Sequence, residues 1–491
     1  MVRVWDIDTE TYSQNFVVSE YNKKQFGEIN TSFDLINRML NLFPESFYKD
    51  PNLRWLDPCC GCGYFTIVLF HRLFKGLQTV IPSPEKRKKH IIQEMIYMIE
   101  INKENYTVLK ELFGKDSNII NFDFLSTTKK QLADLWGIFG NSQKRNGFDA
   151  IIGNPPYNSM GSIKVPTNKK DKKTGDGKTV WRDFIKTAIS FLCDNIENPG
   201  YLNFIIPSIW MKPDKERMYH FLTQYKIEKM HCFTNTETNR MFHGEAQTPT
   251  CYFLLQNTMW GESEQGEITE LVKEKHITLY DKQCEKYVDY KLLPEFPIPV
   301  FGASIIRKLI PYVEKYGHIE AIKTNEPSRK AILSADKTNM CAFPNIVSAV
   351  LAQQERVKID LKLVYSDKQL RYAEIPKLIL AHKMYGFPVL DWEGKYGIGK
   401  RDNYVIIDKS KEDLSKIRDF LSTYFALYVF ESTRYRMKYL EKYAFQFLPD
   451  ITKIGDFPDT INDKTIAEYF GFSESESESI NRLHRKRYFG S

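Results

Sequence analysis

The sequence predicts a doubly wound α/β sheet in the first half of the chain, followed by a mixed α/β domain. Three observations lead there. From about Leu53 to Leu255, short apolar runs alternate with amphipathic stretches, as parallel strands alternate with crossover helices. A turn carrying Gly61 and Gly63 closes the first run and opens a helix-like stretch. Several later runs end on a charged or polar residue, and the carboxyl edge is where open α/β sheets hold ligands.

Strands are expected at Leu53–Leu56, Met95–Ile99, Ile119–Phe122, Phe148–Ile152, Tyr201–Ile206, Ile227–Phe233 and Thr250–Leu255. Helices are expected at Gly63–Phe74, Asn105–Phe113, Trp181–Leu192 and Lys215–Tyr225, with Ile81–Lys89 as an inserted basic turn. Six lysines and three glycines between Asn158 and Thr179 read as a long basic loop. The proline-punctuated run Leu292–Val300 reads as a domain junction. Beyond it lie β-like pieces at Leu378–Leu380 and Tyr404–Ile407, a helix at Lys411–Tyr424, and a short helical tail with a solvated end. The resulting division is 1–265, a connecting segment 266–300, a second domain 301–455 and a tail 456–491.

Bulk properties narrow the class. In 491 residues, 42% are hydrophobic and 27% charged, an ordinary balance for a globular protein with a sizeable core. The net charge of +7 permits a polyanionic partner without requiring one. No apolar run approaches the roughly 18–20 residues of a membrane span, and the N-terminus is polar, so a soluble intracellular protein is expected. The eight cysteines form no disulfide framework. Cys59, Cys60 and Cys62 crowd too closely for one tetrahedral zinc, so no metal is expected.

The chemistry-bearing residues stand at the ends of the expected strands. Leu56-Asp57-Pro58-Cys59-Cys60-Gly61-Cys62-Gly63 turns tightly, and its glycines let a ligand approach the backbone. Glu100 follows the second strand, where a carboxylate can accept from both hydroxyls of a ribose. Asp123, between Phe122 and Phe124, follows the third and can accept from an adenine amine, with a flanking ring on the purine face. Each acid taken alone reads equally well as a solvated strand cap; their order along the chain points to a nucleoside.

The most specific motif is Asn154-Pro155-Pro156-Tyr157, directly after the apolar run Phe148–Ile152. An aromatic amine is a poor nucleophile because its lone pair is delocalised into the ring. Two acceptors, the Asn154 side-chain oxygen and the Pro155 carbonyl, can draw that nitrogen toward sp³ geometry. Prolines at 155 and 156 stiffen the backbone so that the acceptors converge. Tyr157 then offers a flat surface to a base.

These motifs resemble the S-adenosylmethionine-dependent amino methyltransferases, specifically DNA adenine-N6 methyltransferases of the γ motif order, over about Gln25 to Asn257. The resemblance implies a Rossmann-like methyltransferase sheet followed by a target recognition domain. It implies S-adenosylmethionine as cofactor, held by Thr31, Asp57, Gly61, Gly63, Glu100, Asp123, Phe124 and Asn154. Thr31 lies in Phe26-Gly27-Glu28-Ile29-Asn30-Thr31-Ser32, where the family commonly has proline after the threonine and this chain has Ser32. Asn154, Pro155, Pro156 and Tyr157 would surround the target amine, and Phe253 would complete a sandwich on an extruded adenine. Lys169 and Lys170, in the basic loop, would neutralise phosphates.

The same tetrapeptide serves methyltransferases acting on protein glutamine or on RNA guanine, and both alternatives stay open. The long segment after Asn257 favours DNA, since it leaves room for a recognition domain. Candidate base readers there are His382-Lys383-Met384-Tyr385-Gly386 and Gly397 to Tyr404, and Arg434 to Tyr439 could clasp a backbone. The expected partner is double-stranded DNA, with a separate cognate restriction endonuclease as a possible companion and no membrane. A nuclease in the same chain is not expected, because only about two dozen residues precede the cofactor segment.

Overall fold

The computed structural model describes residues 2–7, 29–139, 146–159, 178–214, 216–246, 248–261, 274–324, 331–351, 359–382, 388–399, 403–436 and 440–485. The chain forms two compact units, Met1–Leu279 and Tyr280–Ser491.

In the first unit, helix α1 (Phe33–Leu40) starts where the Ser32 hydroxyl accepts from Leu35 N, and it buries Leu35, Ile36, Met39 and Leu40. Strand β1 (Trp55–Asp57) follows, then α2 (Tyr64–Gly76), whose first seven residues are all buried. The basic stretch at Ile81–Lys89 is not a turn. Ser83 caps a helix there, with Pro84 at its first position (α3, Pro84–His90), and a π-turn at Ile91–Met95 leads into β2 (Ile96–Glu100). Glu100 is thereby the last residue of the strand. Helix α4 (Lys103–Phe113), β3 (Asn118–Asn121), α5 (Lys129–Trp136) and β4 (Ala150–Gly153) complete this half.

After β4, a short ribbon pairs β5 (Asn158–Ser159) with β6 (Lys178–Thr179). Then come α6 (Trp181–Phe191), β7 (Tyr201–Pro207), α7 (Met218–Thr223), β8 (Tyr225–Phe233), α8 (Asn235–Met241), β9 (Thr250–Met259) and β10 (Lys275–Asp281). The helix expected over Lys215–Tyr225 shrinks to α7. Arg217 takes a left-handed backbone in the turn that precedes it, and Tyr225 already belongs to β8.

The strand order in this unit is β10-β8-β9-β7-β4-β1-β2-β3, with β9 antiparallel to both β7 and β8. From β1 the chain builds outward through β2 and β3, then returns to lay β4 on the other side of β1. A topological switch point therefore lies between β1 and β4, in register Trp55↔Ala150 and Leu56↔Ile151. Ligands of such sheets bind in the crevice beyond the strand ends at that point. The central strands are buried on both faces, which explains their near-continuous apolar runs.

The second unit carries β11 (Lys286–Leu292) and α9 (Ala303–Tyr316), then two four-stranded sheets. One runs β12-β19-β16-β17, from Ile322–Lys323, Asn403–Ile406, Lys377–Ala381 and Val389–Asp391. The other runs β13-β15-β14-β18, from Leu333–Ser334, Ile359–Ser366, Phe343–Leu351 and Gly397–Ile398. Ile346, Ile379, Ile398 and Val405 form an apolar cluster drawn from both sheets. A buried Lys377–Asp391 ion pair at 2.6 Å ties β16 to β17, and Asp391 also accepts from Lys395 N and Tyr396 N. Those added hydrogen bonds are what a desolvated pair needs to persist.

The single helix expected at Lys411–Tyr424 is two. Helix α10 (Lys411–Leu421) stops at Ser422, and Thr423 caps α11 (Tyr424–Ser432) by accepting from Ala426 N. Helix α12 (Asp463–Phe470) and α13 (Glu474–Arg485) end the chain's described part. The tail is helical as far as it is described, and its end, 486–491, lies outside the described residues. Glu476 is 5% exposed, pairs with Lys308 and accepts from Ser473 N, which fixes the start of α13. Among the described residues no helix is long and apolar enough to cross a membrane.

Candidate active site

The glycine turn is shaped by Glu100. Its Oε2 accepts from Gly61 N at 2.7 Å and its Oε1 from Asn102 N at 2.7 Å, so one carboxylate joins the end of β1 to the start of α4. Inside the turn, Gly63 N donates to Cys60 O at 2.7 Å. Gly63 has φ +86°, and a Cβ there would meet Leu109 Cδ2 at 2.7 Å. Only glycine serves this position.

Asp57 closes β1, 1% exposed. Its Oδ1 accepts from Cys59 N at 3.3 Å, while Oδ2 is buried with no protein partner among the described residues. Burial pushes its carboxyl up to about 8, the nearby Glu100 carboxylate pushes the same way, and the Cys59 N–H opposes both. The Cys59 and Cys60 thiols are held well above their ordinary range by burial and then by these two acids. Neither is a thiolate nucleophile.

Across the switch point, β4 ends on Gly153 at φ +153°, and a Cβ there would lie 3.2 Å from Asp57 Oδ1. The missing side chain lets the backbone that carries Asn154 pass directly over Asp57. Asn154 donates from Nδ2 to Thr31 Oγ1 at 3.1 Å, and its Oδ1 is buried with no protein partner among the described residues. A buried carbonyl oxygen left unmatched costs about 1–3 kcal/mol, which a ligand donor would recover. Pro155 is buried and Pro156 partly so. Tyr157 O accepts from Val180 N at 3.2 Å, which pins the exit of the motif to the start of α6.

Tyr157 presents a half-buried side chain whose hydroxyl points inward, buried and without a partner among the described residues. Burial raises that phenol, and Cys251 adds to the rise. Cys251 in turn accepts from Trp210 Nε1 at 3.2 Å.

Other expected residues fall differently. Asp123 spends its carboxylate on a turn, accepting from Leu125 N at 3.0 Å and Ser126 Oγ at 2.9 Å. Phe124 is 2% exposed, packed on Phe184 and Phe191, so it is core and not a purine platform. The ring that faces outward is Phe122, 39% exposed, beside Ile101 at 51%. Phe122 N donates to Glu100 O, which holds these two apolar surfaces at adjoining strand ends. Ile101 was overlooked in the sequence, although it adjoins an acid at the end of a strand. Phe253 is wholly buried in β9 against Trp210, which removes it from any stacking surface. Lys169 and Lys170 lie outside the described residues.

In the second unit, His382 is 7% exposed, Asn403 and Tyr404 1%, and Tyr435 fully buried, so these four support the fold and do not face a ligand. Asn403 donates to Val347 O and Tyr404 to Leu440 O. Lys383 to Gly386, Lys400 to Asp402 and Met437 to Tyr439 lie outside the described residues. Arg436 is exposed and reaches Glu441 at 3.8 Å.

Residues 67–239 match the Eco57I restriction-modification methylase family. An uncharacterized adenine-specific methylase of Mycoplasma pneumoniae is 27% identical over 322 residues, covering 50% of this chain and 73% of the relative. The type II methyltransferase M.VspI of a Vibrio species is 28% identical over 195 residues, covering 38% of this chain and 39% of the relative. Among solved structures, the type IIL restriction-modification enzyme MmeI in complex with DNA overlaps 96% of this chain and 72% of its own. That overlap has 12% identity and a TM-score of 0.46.

Proposed function

We propose that this chain, an adenine-specific methyltransferase of the restriction–modification kind by its sequence matches, methylates the N6 amine of adenine in duplex DNA. The observation that carries the reading is the buried, unmatched Oδ1 of Asn154 beside two prolines, at the switch point of the sheet. It is an acceptor held ready for an N–H, and no protein group among the described residues supplies one.

The residues present fit S-adenosylmethionine, which supplies a methyl group on a sulfonium. Asp57 Oδ2 is an unmatched acid suited to the ammonium of an amino acid moiety. The Gly61–Gly63 turn gives backbone access beside it, and Glu100, the last residue of β2, is the carboxylate to which ribose hydroxyls would donate. Ile101 and Phe122 offer apolar faces for a purine, taking the part expected of Phe124. Asp123 keeps lone pairs for an adenine amine at the rim of that surface.

At the acceptor, Asn154 Oδ1 and the Pro155 carbonyl take hydrogen bonds from the target NH₂. They thereby localise the nitrogen lone pair, stabilising the positive charge that builds on nitrogen as it attacks. S-adenosylmethionine would supply the methyl group and leave as S-adenosylhomocysteine, and the excess proton on the methylated nitrogen would pass along one of these hydrogen bonds toward solvent. Tyr157 steadies the base by its face. Such a base must leave the duplex stack, because its amine is otherwise hidden by pairing.

Asp57 gives a pH test of cofactor binding. Its carboxyl, pushed up to about 8, is mostly neutral at pH 7 in the unliganded chain, and pairing with an ammonium requires the carboxylate. Binding then releases a proton, so affinity rises from pH 6 toward 8, by at most about tenfold per unit, and falls again above as the α-ammonium of the cofactor loses its proton. The unliganded fold behaves oppositely. A carboxyl raised in the folded state stabilises at pH below the unfolded value near 4 and loses that contribution as pH climbs to 8. Calorimetry from pH 6 to 9 checks the first effect, and Asp57→Asn should flatten it.

The acceptor class is tested by competition. With labelled cofactor and equal masses of duplex DNA, ribosomal RNA and release factor, the label should enter DNA. Transfer should fall steeply with salt, because phosphate contacts release counterions. Label in the protein or the RNA, with none in DNA of varied sequence, assigns the chain to another acceptor.

A further inference from the structure

We propose that Thr31 is a positioning residue that sets which way round the Asn154 carboxamide sits. The inference rests on the amine-activating role proposed for Asn154. A carboxamide fits its socket in two orientations that exchange Oδ1 and Nδ2, and only one turns an acceptor toward an amine. Here Nδ2 donates to Thr31 Oγ1 at 3.1 Å, across 123 residues of sequence, and leaves Oδ1 as the buried, unmatched atom. Thr31 is itself 4% exposed, so bulk water does not compete for the contact.

A hydroxyl can accept or donate, so Thr31 alone tolerates either orientation. The choice is made by where its own hydrogen goes. Thr31 leads into α1 through the Ser32 cap, and Phe33 packs on Tyr64, the residue after Gly63, with ring centroids 5.2 Å apart. The segment therefore stands between the glycine turn and Asn154. An acceptor-only group brought to that turn, such as the carboxylate of an amino acid cofactor, takes the Thr31 hydrogen. The hydroxyl is then left with lone pairs alone and can only accept from the Asn154 NH₂. A reversed amide would set Oδ1 against those lone pairs and aim its NH₂ at the target amine. Cofactor loading in this way fixes the polarity of Asn154 before the base arrives.

The test compares the full-length wild type with Thr31→Val, Thr31→Ser and Asn154→Ala. Thr31→Val should lower kcat at saturating cofactor and DNA by about tenfold, the size of one hydrogen bond. Thr31→Ser should restore it to within about twofold, since the hydroxyl is retained. A binding readout separates polarity from general structural support. With S-adenosylhomocysteine present, a duplex carrying the site methylated by the wild type is compared with one carrying hypoxanthine there. The wild type should prefer adenine by about tenfold, because hypoxanthine offers an acceptor where adenine offers a donor. In Thr31→Val that preference should collapse, since an amide free to turn accommodates both. Thr31→Ala provides the same comparison if the valine variant does not fold. Wild-type kcat and wild-type preference in Thr31→Val, alongside an inactive Asn154→Ala, would overturn the role of Thr31 alone. Wild-type turnover in Asn154→Ala would overturn the amine-activating reading and this inference with it.

Discussion

Asn154→Ala should reduce turnover by about 10²-fold or more while leaving cofactor and DNA affinity nearly intact. The size follows from when the interaction matters. In the ground state the target amine is planar and donates adequately to any acceptor, so losing one costs little binding. As nitrogen rehybridises and gains positive charge, a preorganised oxygen in a site closed to water is worth several kcal/mol. Asn154 Oδ1 meets that description, being buried with no protein donor among the described residues and oriented by Thr31 at 3.1 Å. Rapid-quench rates at saturating cofactor and DNA, with separate affinities for each, check the division. A variant that loses affinity in proportion to rate would show uniform binding instead.

Glu100→Ala should show the next largest effect, and it should appear in two measurements together. The carboxylate accepts from Gly61 N and Asn102 N, both at 2.7 Å, and is 5% exposed. Hydrogen bonds to a charged acceptor contribute about 1.5–3 kcal/mol each, so thermal unfolding should show a loss of about 3 kcal/mol. Cofactor affinity should weaken by a further 1.5–3 kcal/mol or so, about 10- to 150-fold, as the ribose loses its acceptor and the glycine turn its brace. Glu100→Gln should fall between, because one amide oxygen can serve Gly61 or Asn102 but not both. Unchanged affinity in a folded Glu100→Ala would leave the carboxylate a purely structural brace.

The positions of the strand-end acids and of the Asn154 motif stand out because they interrupt apolar runs; that Glu100 braces the glycine turn and Asp123 caps a 3-10 turn does not show in the sequence. Which ring faces outward was not legible. Asp123 caps a tight 3-10 turn, so the chain after β3 swings Phe124 inward under α6 and leaves Phe122 exposed. Period-two alternation gives no warning of such a turn. Phe253 sits on a strand flanked by β7 and β8, where apolar residues on both faces read alike. Polar residues of the second unit, such as Asn403 and His382, resemble surface readers in sequence, and only its long-range sheet pairing buries them. Thr31 stands out in the sequence only through the family resemblance. Its hydrogen bond to Asn154 joins residues 123 apart, beyond the reach of any local pattern.

The central claim is about one atom: that the unmatched oxygen of Asn154 is there for the N6 amine of adenine in DNA. It is tested most directly by incubating the full chain with duplex DNA and methyl-labelled S-adenosylmethionine, digesting the DNA to nucleosides, and identifying the labelled one by mass spectrometry. The label should co-migrate with N6-methyldeoxyadenosine and be lost with Asn154→Ala. Label on a cytosine or guanine product, or N6-methyldeoxyadenosine formed at the wild-type rate by Asn154→Ala, would contradict the account.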